Sequence, residues 1–264
     1  MAYWQGKRFS LLLGERTYVM GILNITPDSF SDGGDFLDPE TAVAHALELE
    51  AQGADLIDIG PQSTRPGHAS VSPAEEIQRL SPVLGRISAA VRVPVSVDTF
   101  YPETAAFALE GGAAVVNDVS GAVSPEMARV VRDWGAGWVI MHNGPGEPAE
   151  IADWLLSAAK RAEEMGVLRE GICLDPGAGF GKTYEQNLRI IRDFRAPEGY
   201  PYLAGFSRKS FIGAAAGEPA PKRREAGTIA AHVIAVMGGA DVIRTHDAAA
   251  GIQSVRVADA VKGA

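Results

Sequence analysis

Residues 20–34 read Met20-Gly21-Ile22-Leu23-Asn24-Ile25-Thr26-Pro27-Asp28-Ser29-Phe30-Ser31-Asp32-Gly33-Gly34, an apolar run that turns polar at Asn24. Residues 17–25 are short, apolar and rich in branched side chains, the pattern of a buried strand. Asn24 stands at the carboxyl end of that strand, where a buried amide is costly unless it holds a partner. A polar loop follows, carrying Pro27, Asp28, Phe30 and Asp32 and closed by Gly33-Gly34. Taken alone this is ordinary strand-to-turn chemistry. The same arrangement, apolar strand and then polar tip, recurs along the chain, and the recurrence decides the fold.

Upstream, residues 8–14, a turn at Gly14-Glu15-Arg16 and the residues from Thr17 onward predict a short opening hairpin. Downstream, Asp38-Pro39 predicts a helix start, with a capping side chain followed by proline at the first position. Gly53 ends that helix, and residues 54–60 form a second strand with the loop Pro61-Gln62-Ser63-Thr64-Arg65-Pro66-Gly67. Ser72-Pro73 with Glu75 predicts a capping box for the next helix. Further strands are expected at 94–99, 113–119, 137–142, 171–175, 202–207 and 241–245, alternating with helices. None of these strands shows the polar alternation of a half-exposed sheet, and crossover helices imply a parallel sheet covered on both faces.

Eight such units in 264 residues fit an α/β (β/α)8 TIM barrel with a short N-terminal β-hairpin, a fold that needs about 250 residues. No Pro- or Ser-rich linker divides the chain, so one barrel domain over residues 1–264 is expected. A doubly wound open sheet is the competing topology. Its dinucleotide-binding version is weakened because no Gly-x-Gly-x-x-Gly follows the first strand.

The net charge of −9 argues against a general nucleic-acid binder, since no basic field is available to neutralise phosphates. Any small anion must then meet a locally basic site. The single cysteine, Cys173, cannot form an internal disulfide and reads as a small buried hydrophobe. The apolar run Leu11-Leu12-Leu13 is too short for a signal peptide and nothing approaches a membrane span. A cytoplasmic protein without membrane partners is the expectation.

The strand ends carry Asn24, Ser63-Thr64-Arg65, Asp98, Asn117-Asp118, Met141-His142, Asp175, Arg208-Lys209 and Arg244 with His246. In a barrel all of these gather at one mouth, where active sites of this fold are built. Asp98, Asn117 and Asp175 suit a flat heterocycle with several N–H donors. Lys209, Arg244 and His246 follow strands seven and eight, where barrels commonly place phosphate. Any metal would be a hard cation held by oxygens such as Asn24 and by substrate phosphates, which favours Mg²⁺. The run Gly177-x-Gly179-x-Gly181-Lys182-Thr183 imitates a nucleotide-binding P-loop, but that pattern needs glycine where Pro176 stands. His142 has no evident nucleophile to serve, and no Gly-x-Ser-x-Gly supports a serine hydrolase.

Residues 21–34 closely resemble the first signature of the dihydropteroate synthases, and Ser63-Thr64-Arg65-Pro66-Gly67 resembles the second. Ser96-Val97-Asp98-Thr99, Asn117-Asp118, residues 175–182, residues 207–211 and residues 244–247 resemble the later blocks in the right order. The resemblance implies a pterin-binding barrel that joins (7,8-dihydropterin-6-yl)methyl diphosphate to 4-aminobenzoate, giving 7,8-dihydropteroate and diphosphate. It implies that Asn24 binds Mg²⁺, and that Asp98, Asn117, Asp175 and Lys209 hold the pterin over Met141. It gives Arg244, His246 and Thr64 to the diphosphate. Arg65, Pro66, Phe180, Lys209 and Ser210 would surround the aminobenzoate, with Phe30 and Asp32 from the first loop. Asp32, Arg65 and Lys209 are the expected catalytic residues, Asp32 as electrostatic partner of a cationic methylene. A homodimer is implied by the family alone.

One departure stands out. The family usually has Gly-Glu where this chain has Pro61-Gln62. A pterin-binding paralogue without turnover and a pterin-dependent methyltransferase domain are the alternatives. The methyltransferase would lack the Ser-Arg-Lys-Ser and Arg-x-His blocks, because it handles no diphosphate.

Overall fold

Each strand of the barrel lies beside its neighbour in sequence, so the chain winds once round and returns to its start. The computed structural model describes residues 2–26, 38–62 and 71–263. A hairpin of β1 (Ala2–Gly6) and β2 (Phe9–Leu13) comes first. The parallel barrel strands are β3 (Tyr18–Asn24), β4 (Leu56–Gly60), β5 (Val95–Asp98), β6 (Val115–Asp118), β7 (Gly137–Met141), β8 (Ile172–Asp175), β9 (Leu203–Ala204) and β10 (Val242–Thr245). The last strand, β10, pairs with the first, β3, and also with β9. Between β8 and β9 the circle is completed by the single parallel bridge Leu174–Tyr202. The result is the expected (β/α)8 barrel.

Helices α1 (Pro39–Ala51), α2 (Pro73–Leu80), α3 (Leu84–Ala90), α4 (Pro102–Glu110), α5 (Pro125–Trp134) and α6 (Pro148–Glu164) connect the first six strands. Then come α7 (Tyr184–Arg192), α8 (Ser210–Ala216), α9 (Glu225–Met237) and α10 (Ala248–Gly263). Local chemistry sets their starts. The Asp38 carboxylate accepts from the Thr41 N–H, and Ser124 does the same for Met127, each satisfying an otherwise orphaned donor. At Ser72 only half of the expected box forms: Ser72 accepts from the Glu75 N–H, while the Glu75 carboxylate pairs with Arg79 one turn on. The expected helix after Ser72 is two helices, interrupted at residues 81–83, where Pro82 cannot continue the ladder.

The opening hairpin is real, but its register differs from the expectation. Its turn is at Lys7-Arg8, and Thr17 leads instead into a parallel barrel strand. Gly14, at φ +90°, makes the corner from hairpin to barrel. Burial explains the choice. Trp4 is fully buried, donates from Nε1 to the Gly171 carbonyl, and meets Phe9 edge to face at 5.2 Å. Lys7 and Arg8 bond to carbonyls of Gly135, Leu109 and Ala113, just before β7 and β6. The hairpin thus plugs the amino-terminal end of the barrel.

Strand residues divide by parity into two apolar clusters. Val19, Ile57, Val116, Trp138, Ile140, Ile172, Leu174 and Ile243 pack outward with the helices. Their neighbours Met20, Leu56, Val115, Val139, Cys173, Leu203 and Val242 face inward and pack with Trp4 and Phe9. Cys173 is accordingly buried and free, as a small hydrophobe.

Candidate active site

One inward step beyond the plugged cluster the interior becomes polar. Leu56 is followed two residues on by Asp58, Val115 by Asn117, Cys173 by Asp175 and Val242 by Arg244. Because side chains alternate along a strand, all four point into the barrel towards its carboxyl-terminal mouth. Asp98 and Ser96 share that side of β5, and Met141 shares the inward side of β7 with Val139. Asp58, Ser96, Asp98, Asn117, Met141 and Asp175 are all buried.

Arg244 holds this layer together. Its Nε donates to Asp58 Oδ2 at 2.7 Å and its Nη2 to Asp98 Oδ2 at 2.9 Å. Asp58 Oδ2 also accepts from Asn117 Nδ2 at 2.9 Å. That bond fixes the amide, leaving the Asn117 oxygen as an acceptor for the site. Asp98 Oδ1 and Asp58 Oδ1 are buried without a hydrogen-bond partner among the described residues. Such atoms are costly when left unmade, so a ligand donor is the natural complement of Asp98 Oδ1. Burial pushes the Asp98 carboxyl up to about 7, with Arg244 pulling it down and Asp58 adding to the rise. Asp58 was missed from the sequence, although its parity with Leu56 was a usable signal.

Across the mouth, burial raises Asp175 while the Gly177 N–H, donated at 2.7 Å, works against that rise. The loop after β8 is built on glycines at positive φ. A Cβ at Gly177 would lie 1.9 Å from the His142 carbonyl oxygen, and one at Gly179 would lie 2.9 Å from Lys209 Cδ. Lys182, the lysine of the false P-loop, turns back to donate to the carbonyls of His142, Gly177 and Phe180. Burial lowers it to about 8. Thr183 is spent on the box that caps α7. The loop is therefore a stapled support for Phe180, and His142 belongs to the same wall, edge-on to Trp154.

Lys209 lies with its ammonium 4.0 Å from the Phe180 ring centroid, a cation–π contact. Burial lowers it to about 8, opposed by Asp175. Before it, Arg208 has φ +57°, a left-handed conformation that a non-glycine residue holds only under constraint. Thr228 accepts from the Arg208 N–H and Arg224 donates to its carbonyl. The sharp turn ends β9 earlier than the expected 202–207 and sets Lys209 at the start of α8. Ser207 reaches across to His246, with Oγ 2.9 Å from Nδ1 and accepting the His246 N–H at 3.1 Å. Ser210 is exposed at the first position of α8.

Asn24 ends β3 opposite Gly60. A Cβ at Gly60 would stand 3.0 Å from Asn24 Oδ1, so glycine leaves that oxygen its space. Among the described residues no group of three His, Cys, Asp or Glu could hold a metal. One neutral oxygen fits Mg²⁺, which keeps its waters and takes other ligands from phosphate, and does not fit zinc. Asn24, Asp98, Asn117, Met141, Asp175, Phe180, Lys209, Arg244 and His246 thus gather at one mouth. Phe30, Asp32, Thr64, Arg65 and Pro66 lie outside the described residues.

Comparison with known proteins agrees with this geometry. Residues 20–246 match the model of the family described as pterin binding enzyme. The chain is 44% identical over 258 residues to the dihydropteroate synthase of Clostridium beijerinckii, covering 94% of this chain and 96% of that protein. It superposes with a TM-score of 0.89 on a Clostridium difficile dihydropteroate synthase crystallised in the presence of pteroic acid, at 42% identity over 95% of this chain and 98% of that one. The Xanthomonas albilineans dihydropteroate synthase in complex with 7,8-dihydropteroate gives 0.86 at 39% identity, covering 98% and 97% of the two chains. The chain belongs to the pterin binding enzymes, among the dihydropteroate synthases.

Proposed function

We propose that this protein is a dihydropteroate synthase of folate biosynthesis, a transferase that joins the methylene carbon of (7,8-dihydropterin-6-yl)methyl diphosphate to the amine of 4-aminobenzoate. The C–O bond to diphosphate breaks, the C–N bond forms at the methylene, and the amine loses one proton. The observation that carries the reading is the inward polar layer Asp58, Asp98, Asn117, Asp175 and Arg244, facing Lys209 across the mouth of a barrel of this family.

The pterin edge presents several N–H donors. Asp98 Oδ1, the Asn117 oxygen and Asp175 would accept them, while Asp58 and Arg244 hold two of the three acceptors in place. Met141 gives the ring a flat apolar support. An aniline is a weak nucleophile, so the site must favour departure of diphosphate, which preorganised cationic groups do by stabilising the charge that develops on it. Arg244 Nη1, unbonded among the described residues, and His246, aligned by Ser207, are the groups assigned to that charge. Lys209, a cation lowered by burial to about 8 and set on Phe180, lies between the pterin and aminobenzoate positions. Thr64 and Arg65 with Pro66, and Phe30 with Asp32, are assigned from the two loops, and Ser210 from α8. Mg²⁺, held through Asn24, would supply further charge stabilisation at the diphosphate.

A homodimer is supported by exposed Ile234 and Met237 on α9 and Val257 and Val261 on the adjoining α10. A cytoplasmic location fits the finding that no helix among the described residues is long and apolar enough to cross a membrane.

The test is diphosphate release from pterin diphosphate, Mg²⁺ and 4-aminobenzoate, measured with dihydropteroate formation. Matched release that is lost in Lys209→Ala and Arg244→Ala supports the synthase and its assigned site. Tight pterin binding with neither product would overturn the reading in favour of a paralogue without turnover.

A further inference from the structure

The segment 63–70, which carries Thr64, Arg65 and Pro66, is bounded by two described residues, Gln62 and Val71. One buried side chain joins them. Gln62 donates from Nε2 to Glu76 Oε1 at 2.7 Å and accepts from the Val71 N–H through its own Oε1 at 3.3 Å. Neighbouring groups hold the same two roots. Arg79 donates to the Pro61 carbonyl at 2.8 Å, and the Tyr101 hydroxyl donates to the Val71 carbonyl at 2.9 Å. Glu76, fully buried on α2, accepts through its other oxygen from Thr99 Oγ1 at 2.6 Å. Thr99 directly follows Asp98, whose Oδ1 awaits a donor.

We propose that Gln62 is a positioning residue, whose amide ties its own residue and Val71, the two that flank segment 63–70, to Glu76 and Thr99 and so sets these two roots relative to Asp98. The proposal rests on the synthase reading for its functional consequence and on these hydrogen bonds for its geometry.

The chemistry explains why an amide is needed. Gln62 donates to a carboxylate and accepts from a backbone N–H at once, and an amide does both from two separate atoms without a titrating proton. A glutamate here, the residue usual in this family, would face Glu76 across the same contact. It could keep the contact only while the two carboxyls shared one proton, because paired carboxylates raise each other's affinity for it. The groups bearing on Glu76 are Arg79 from its own helix, Asp98 and Thr99 at the end of β5, Thr104 on α4, and Gln62. Burial already raises Glu76, and Arg79 works against that rise.

Three variants test the idea: Gln62→Glu, Gln62→Leu, and the exchange Gln62→Glu with Glu76→Gln. In the exchange, the amide at 76 donates to the carboxylate at 62 and accepts from Thr99, so the clasp returns with its roles swapped. Relative to wild type at each pH, kcat/KM of Gln62→Glu should fall about tenfold as the pH is raised and the shared proton is lost. Gln62→Leu should be reduced by the same factor at every pH, and the exchange should restore the wild-type profile. Hydrogen-exchange protection of the Val71 amide, which needs no turnover, should follow the same three patterns. A constant ratio for Gln62→Glu, or Val71 protection that does not change with pH in that variant, overturns the proposal. Absence of dihydropteroate from the wild type would refute the synthase reading instead, and Val71 protection would still decide the clasp.

Discussion

The barrel interior is built in two layers from the same side of the same strands, and the layers are opposites. The lower layer, Met20, Leu56, Val115, Val139, Cys173, Leu203 and Val242, is apolar and sealed by Trp4 and Phe9. Two residues further along, the upper layer places Asp58, Asn117 and Asp175 in comparable burial, with Arg244 part-buried between them. Burying apolar surface stabilises a fold, whereas burying charge costs unless each group is paired and hydrogen-bonded. The contrast separates the two tasks. The lower layer holds the strands in register, and the upper layer spends stability on aimed acceptors and cations.

Removing the keystone of the upper layer should have the largest effect. Arg244→Ala leaves Asp58 and Asp98 buried without their cation, which is expected to cost about 3–5 kcal/mol of stability. It should also lower kcat about a thousandfold through the lost charge stabilisation. Adding Asp58→Asn should recover part of the stability in urea unfolding and none of the turnover. A variant as stable as wild type would break the account of the upper layer as compensated charge.

The matching experiment below is Trp4→Ala. Loss of this fully buried ring is expected to cost about 3–5 kcal/mol, comparable to Arg244→Ala in unfolding. Unlike Arg244→Ala, it should leave kcat and both KM values of the folded enzyme near wild type. A large fall in kcat at temperatures where the variant is folded would show that the layers are not separable.

The layers should also differ in their response to pH. Asp98 is raised in the folded state, so between its unfolded value near 4 and about 7 the native protein binds more protons than the unfolded chain. Stability therefore falls as pH rises through that window and levels off above it. Lys209 is lowered to about 8, so above about 8 the unfolded chain binds more protons and stability recovers as pH rises towards about 10.5. Asp98→Asn should flatten the acid-side fall in denaturant titrations, whereas Val139→Ala should lower the whole curve without changing its shape.

The smallest effect is expected at Gly60. Gly60→Ala brings a Cβ to 3.0 Å from Asn24 Oδ1, so the amide oxygen must shift by a few tenths of an ångström. Unfolding should change little, while the Mg²⁺ concentration for half-maximal turnover should rise by about threefold or more, since one protein oxygen carries that contact. An unchanged Mg²⁺ titration would remove Asn24 from the metal site.

Much of this contrast was legible in the chain. Asp98, Asn117, Asp175 and Arg244 each end an apolar run, and strand parity alone places Ser96 with Asp98. Asp58 was not recognised, because it sits mid-strand and its partner Arg244 is 186 residues away. The hairpin register was misread for a similar reason. Gly14 is a genuine turn, but what selects Lys7-Arg8 as the hairpin turn is the burial of Trp4 and Phe9 under strands far along the chain. Lys182 shows the converse: its motif resembles a phosphate loop, yet its ammonium is satisfied by three carbonyls of its own wall.

The sequence by itself determined the alternation of strands and helices, the helix starts at Asp38 and Ser72, and the polar tip on each strand. These depend on neighbours within a turn or two, where periodicity and capping act. Tertiary structure decided which tips meet. It bound Arg244 to Asp58 and Asp98, set Lys209 on Phe180 and joined Gln62 to Glu76. Those pairings exist only once a closed barrel excludes water, because only there do unpaired charges and amides become costly enough to select their partners.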